Sequence, residues 1–170
     1  VGAIGGKKEI LMISSARGGR DILTVGASNS GKQAPLYHSG TYNGHPTILA
    51  AGLATIHVLE QMGTMDTLFA NTQLLRKQLE EVYKFHGLPM QTIGMGSIFN
   101  IILSEGEVKN YRDMRKVNTN LRKQIDYELL RLGIYTKPLN RYSMSVVHTK
   151  EDIERTAAAH DEAIKRVKNK

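Results

Sequence analysis

Two glycine-rich stretches of this 170-residue chain carry residue types that can hold an anion. The first is Gly26–Lys32, "GASNSGK", directly after the apolar run "ILTV". A strand running into G-x-x-x-x-G-K is the pattern in which backbone N–H groups and a lysine cradle phosphate. Its surroundings argue against that chemistry. Gln33 stands where a Mg²⁺-ligating Ser or Thr is needed. The next residues, "APLYHSG", hold Pro35 and Gly40, so no useful helix can point its N-terminus at the phosphate. A polar loop is the better reading. A non-enzymatic nucleotide- or anion-binding module using Gly26–Lys32 is a distant alternative.

The second stretch, "HSGTYNGHP" at 38–46, gathers Gly40, Thr41, Asn43 and the helix-starting Pro46. Gly40 permits close backbone approach, and Thr41 offers both O–H and N–H to an anion. An ordinary Gly/Asn turn ahead of a helix is the competing reading, and residue physics alone favours it. Elsewhere the chemistry is sparse. His38 flanks the Thr41 motif, and His45 precedes Pro46. His57, His86, His148 and His160 fall at no metal-ligand spacing, so no metal is expected. No Ser–His–Asp arrangement stands out. Arg141, after "YTKPLN", has the forked donors that match a carboxylate, although a surface arginine at a strand start explains it equally well.

The composition bounds the class. Hydrophobic residues make up 41% and charged residues 23%, which suits a globular core. Cysteine is absent, which excludes disulfides, thiolate metal sites and cysteine nucleophiles and fits a cytoplasmic protein. The net charge of +7 would attract anions, but the basic residues alternate with acids, as in "NTQLLRKQLEEVYK", and Trp is absent. Nucleic-acid binding is therefore not expected. No run is long and apolar enough to span a bilayer, and the opening at Val1 reads as a cut end.

The elements that must position these residues follow from periodicity. "VGAIGG" (1–6) reads as a short buried strand and "KKEILMIS" (7–14) as a short helix. Residues 15–40 are a long loop. Pro46 opens a helix ending at Gly63, with Leu49, Leu53, Ile56 and Leu59 on one face and Ala50, Ala51, Ala54 and Val58 extending the apolar surface nearly all round. Such a helix needs large partners to cover it. A second, amphipathic helix begins with Thr64 or Asp66 as its cap, repeats Leu68, Leu75, Leu79 and Val82, and stops at Gly87 and Pro89. "MQTIG" and "SIFNIIL" are strands separated by "GMG". Asn110, in the capping-box pattern "NYRD", opens a long helix with a stripe of Val117, Leu121, Ile125 and Leu129, ending at Gly133. "IYT" and "YSMSVV" are strands, and a capping box of Thr149 and Asp152 opens the last helix. Residues 1–62 thus read as the end of an α/β layer, 63–87 as a bridging helix, and 88–170 as a small α+β domain.

In this order, "VGAIGGKKEIL", "HSGTYNGHPTILAAGLATI", "GMGSIFNI", "VKNYRDM", "LLRLGIYTKP" and "VVHTKEDIERT" resemble the C-terminal portion of the class III pyridoxal-phosphate-dependent aminotransferases, most closely the glutamate-1-semialdehyde 2,1-aminomutase subgroup. The resemblance covers nearly the whole chain. It implies a fold-type-I α/β enzyme: the end of the large, cofactor-binding domain, then a C-terminal α+β domain. It implies pyridoxal 5'-phosphate as cofactor and a homodimer with active sites at the interface. It implies that Gly40 and Thr41 meet the cofactor phosphate of the partner subunit. The Schiff-base lysine of this family precedes the "VGAIGG" motif, so it is expected upstream of Val1, and the 170 residues alone are expected to be inactive. The activity implied is movement of an amino group of an amino acid or amine via a Schiff base. Two departures, Arg141 where an acidic residue is expected and the long loop at 15–37, favour an aminotransferase over an aminomutase that returns the amino group to the same molecule.

Overall fold

The computed structural model describes residues 2, 4–12 and 40–169, and the Gly26–Lys32 motif, Gln33 and His38 lie outside them. The chain forms two compact units, Val1–Val58 and Leu59–Lys170.

In the first unit, α1 spans Lys8–Leu11 and α2 spans Pro46–Leu59. Gly2 and residues 4–6 are exposed and form no strand, contrary to the strand expected there. A strand exists only as part of a ladder, and "IGG" at 4–6 has no ladder partner among the described residues. In α2, Pro46 takes the first helical position and the Leu49 N–H bonds the His45 carbonyl at 3.0 Å. Among the residues of α2 only Gly52 is buried, while Leu49, Leu53, Ile56 and Val58 remain exposed. The all-round apolar character read from the sequence is therefore an uncovered surface.

The second unit is built on α3, Thr64–Phe85. Its buried residues Leu68, Thr72, Leu75, Leu79 and Tyr83 follow three- and four-residue spacing, so one stripe faces the core. Neither Thr64 nor Asp66 is the N-cap. Gly63 holds that place with φ of 78°, a conformation that disfavours a side chain, and the expected caps sit in the first turn. Gly87, also with positive φ, closes the other end: its N–H reaches the Lys84 carbonyl and the Leu88 N–H reaches Tyr83, both at 2.9 Å.

β1 (Met90–Met95) and β2 (Ile98–Leu103) form an antiparallel hairpin, and β3 (Tyr142–Ser143) pairs antiparallel with β2, giving the order β1-β2-β3. The turn is Gly96–Ser97; "GMG" does not separate the strands, because Gly94 and Met95 are still paired. Phe99, Ile101 and Leu103 alternate into the core. Gly94 lies opposite Phe99, where an added Cβ would intrude on the Ile98 carbonyl oxygen and the Phe99 Cα.

The capping box at Asn110 is present, but α4 is only Tyr111–Met114. The long helix is α5, Thr119–Arg131, with its own cap: Asn118 Oδ1 accepts from the Leu121 N–H at 3.0 Å. The Asn118 N–H donates to the Leu103 carbonyl at 3.2 Å, which removes residue 118 from any continuous helix. "IYT" is not a strand. The Ile134 N–H closes the end of α5 on the Leu129 carbonyl, with Gly133 at φ of 80°. "YSMSVV" pairs only at Tyr142–Ser143, since Ser145–His148 turn back on themselves: the Ser145 N–H donates to His148 Nδ1 at 2.9 Å. The capping box of Thr149 and Asp152 opens α6, Lys150–Lys168. The Thr149 N–H and hydroxyl hold the Asp152 carboxyl below its ordinary range.

The core lies where α3, α5 and α6 cover one face of the sheet. Leu79, Tyr83, Phe99, Ile125, Leu129, Ile153 and Ile164 pack within it. α3 packs on α6 and β1, and α5 on α6 and β2. Arg76 ties α3 to β1, donating from Nε to Thr92 Oγ1 at 2.9 Å and from Nη2 to the Thr92 carbonyl at 3.0 Å.

Candidate functional site

Each unit holds one set of candidate residues. In the first, Gly40–Gly44 form successive turns that lead into α2. The Asn43 N–H donates to the Gly40 carbonyl at 3.0 Å, and the His45 N–H to the Tyr42 carbonyl at 3.2 Å. A Cβ at Gly40 would stand 2.6 Å from Asn43 Oδ1, so the Asn43 amide folds over a position where glycine leaves room. Thr41 and its neighbours in the turn are exposed. The segment presents a hydroxyl, backbone amides and a primary amide at the entry to a fourteen-residue helix. That donor set suits a phosphate dianion. Gly40 and Thr41, the candidate phosphate contacts, stand exposed at the start of this turn.

In the second unit, Arg141 is exposed and immediately precedes β3. It lines a cleft of about 340 Å³ with Tyr135, Thr136, Asn140, Met144 and His148. Lys137 stands on the same cleft, as does Asp152, its acidic group. The cleft thus carries the cations Lys137 and Arg141 against the one carboxylate of Asp152.

Three groups that motif reading passed over organise this region. Arg122 and Asp126 are buried on α5, with Nε to Oδ1 at 2.8 Å. Asp126 Oδ2 accepts the Leu139 N–H at 2.8 Å. The Arg122 guanidinium donates to the Ile101 carbonyl and, at 3.3 Å, to the Asn140 carbonyl. It lies 5.7 Å from the centroid of the Tyr142 ring. Tyr142 stacks on Phe99 with centroids 5.2 Å apart. His160, fully buried, bridges Tyr83 through Nδ1 at 3.1 Å and Tyr142 through Nε2 at 3.0 Å. Burial, then the Arg122 charge, pushes its pKa down to about 3, so the imidazole is neutral. Burial raises both tyrosine pKa values. The one sequence signal for the ion pair was its i, i+4 spacing beside the apolar stripe of α5.

Among the described residues no cluster of His, Asp and Glu is placed to hold a metal ion, and no helix is long and apolar enough to cross a membrane.

Comparison with known proteins shows what the chain resembles. No family model matches the chain. A glutamate-1-semialdehyde 2,1-aminomutase of Thermus thermophilus is 37% identical over 133 residues, covering 76% of this chain and 31% of the relative. The same enzyme from a second strain is also 37% identical, over 136 residues. Over most of its length the chain is similar to glutamate-1-semialdehyde 2,1-aminomutases and to pyridoxal-phosphate-dependent transaminases. It spans about a third of the length of these relatives. Solved transaminases agree with this chain in fold. A β-phenylalanine aminotransferase from Variovorax paradoxus superposes with a TM-score of 0.69 at 27% identity, over 97% of this chain and 35% of that one. An ω-transaminase from Sphaerobacter thermophilus gives 0.66 at 24% identity, over 83% of this chain and 32% of that one. The fold is that of the fold-type-I transaminases.

Proposed function

We propose that the whole protein is a pyridoxal-phosphate-dependent aminotransferase that moves the amino group of an amino acid or amine. The observation that carries this is the 37% identity over 133 residues to an enzyme that moves amino groups, on a chain with the transaminase fold. Gly40 and Thr41 hold the phosphate of the cofactor bound by the partner subunit of a homodimer. The exposed turn with room at Gly40 and a hydroxyl at Thr41 supports that assignment. The exposed apolar face of α2 supports an assembly in which residues 1–62 end the large domain and are covered by it or by the partner. When bound, the cofactor supplies an electron sink for the carbanion formed at the substrate's α-carbon. Arg141 binds the substrate carboxylate at the mouth of the cleft, where paired N–H donors match two carboxylate oxygens. In this reading none of the lysines in these 170 residues forms the Schiff base. The family's lysine precedes the "VGAIGG" motif, so these residues contribute binding and positioning. The reaction takes place in the cytoplasm.

A second reading, glutamate-1-semialdehyde 2,1-aminomutase, is favoured by the names of both curated relatives. Arg141 favours the first. Full-length protein supplied with pyridoxal phosphate separates them. Transfer from amino acids to pyruvate or 2-oxoglutarate, with no conversion of glutamate-1-semialdehyde, is the expected result. Conversion of glutamate-1-semialdehyde to 5-aminolevulinate without an external acceptor establishes the aminomutase. Absence of both overturns the family activity for this protein.

A further inference from the structure

We infer that Arg122 and Asp126 are positioning residues for Arg141: their buried ion pair grips the backbone of the loop that carries it. The inference rests on the reading of Arg141 as the carboxylate contact and assigns the two residues that make that contact directional.

The loop is Lys137–Arg141, "KPLNR". The Asn140 N–H donates to the Lys137 carbonyl at 2.9 Å, closing a four-residue turn. Pro138 takes the second place, and Leu139 takes the third with φ of 63°. That place usually falls to Gly or Asn, because a side chain there is strained. A leucine persists in such a conformation only when its surroundings over-determine it. Here they do. The Leu139 N–H is held by Asp126 Oδ2 at 2.8 Å, and the Asn140 carbonyl by Arg122 Nη2 at 3.3 Å. Asn140 Oδ1 then accepts the Arg141 N–H at 2.9 Å. The grip is itself anchored: Arg122 donates to the Ile101 carbonyl in β2 and lies over the Tyr142 ring.

Stability alone is a poor reason for this pair. Taking two charges out of water offsets most of their attraction, and well-packed apolar residues often serve the fold as well. The pair's remaining hydrogen-bonding capacity is directed at two consecutive residues of one loop and at the strand beside it. The residue that follows is Arg141, on the cleft. A long arginine on an unrestrained loop samples many positions, and holding its backbone lowers the entropy lost when it binds.

The test uses the full-length protein with butyrate as a carboxylate probe. The parent, Arg141→Ala and the double variant Arg122→Met/Asp126→Leu are compared by three readouts: thermal midpoint, exchange of the Leu139 amide, and butyrate affinity. The double variant is expected to keep its thermal midpoint within a few degrees, to exchange the Leu139 amide at least tenfold faster, and to bind butyrate about tenfold more weakly. Arg141→Ala is expected to weaken butyrate while leaving Leu139 protected. A folded double variant with parent-like butyrate affinity, or with Leu139 still protected, overturns the positioning role and leaves Arg141 standing. Unchanged butyrate affinity in Arg141→Ala, or no butyrate binding by the parent, removes the Arg141 reading and the positioning role with it. If the double variant does not fold, Arg122→Lys decides. It keeps the charge beside Asp126 but loses the second arm to Asn140, so butyrate must weaken at least threefold, and parent affinity overturns the proposal.

Discussion

His160 Nε2 and the Tyr142 hydroxyl lie 3.0 Å apart in the core, and Tyr83 meets Nδ1 of the same ring at 3.1 Å. A neutral imidazole serves both hydroxyls, donating to one and accepting from the other. The folded pKa is about 3, against 6.5 for an unrestrained histidine. Between these values the unfolded chain binds the extra proton, so stability is full above pH 6.5 and is lost as the pH falls towards 3. The expected loss at pH 5 relative to pH 7 is about 2 kcal/mol. His160→Gln, which cannot titrate, removes that slope at some cost in stability. Denaturant unfolding across this pH range checks it. A parent protein whose stability is flat between pH 7 and 5 contradicts the assignment of a neutral His160.

Gly94 sits opposite Phe99, and Gly94→Ala would drive a Cβ into the backbone of β2 and to 2.8 Å from the Phe99 Cβ. The strands cannot separate without breaking their ladder and unstacking Phe99 from Tyr142. Overpacking of this kind costs about 3 kcal/mol. A substitution that shifts the unfolding midpoint by less than a third of that amount argues against the register. Gly106→Ala is the control, because an added Cβ there meets nothing within 4 Å.

Thr41→Ala in the full-length protein should weaken retention of pyridoxal phosphate. A hydrogen bond to a charged group is worth roughly 1.5–3 kcal/mol, which corresponds to about a ten- to hundredfold loss of affinity. Lys32→Ala and Gln33→Ala should change it far less. Dialysis followed by cofactor absorbance measures all three. Loss of cofactor on Lys32→Ala with retention on Thr41→Ala would move the phosphate contact to the earlier glycine-rich stretch.

Arg141→Lys keeps the charge but loses the fork. The expected effect is about a tenfold rise in KM for an amino-acid substrate, equivalent to about 1.4 kcal/mol, with cofactor binding unchanged. An amine lacking the carboxylate should be handled as by the parent. Equal KM values for Arg141→Ala and the parent on the best amino-acid substrate would reduce the residue to a surface charge.

Local signals in the sequence carried much of this structure. Pro46 and Gly87 mark helix ends because their effects act within a turn: a missing N–H costs nothing at a helix start, and a positive φ suits a helix stop. The Thr149–Asp152 capping box is likewise complete within four residues. The hairpin at 90–103 was legible from its β-rich runs, and the motif order was enough to indicate the family. What the sequence could not decide were features completed by distant residues. Asn118 stands outside the helices and caps the start of α5 because Leu103, on a neighbouring strand, takes its N–H. "IYT" has strand composition but closes a helix, and most of "YSMSVV" finds no ladder. No motif marks Arg122 or Asp126, and His160 stands out only as falling at no metal-ligand spacing. Only the packing of α5 and α6 against the sheet buries them, and burial is what obliges each to find partners in the loop beside Arg141 and in the tyrosines.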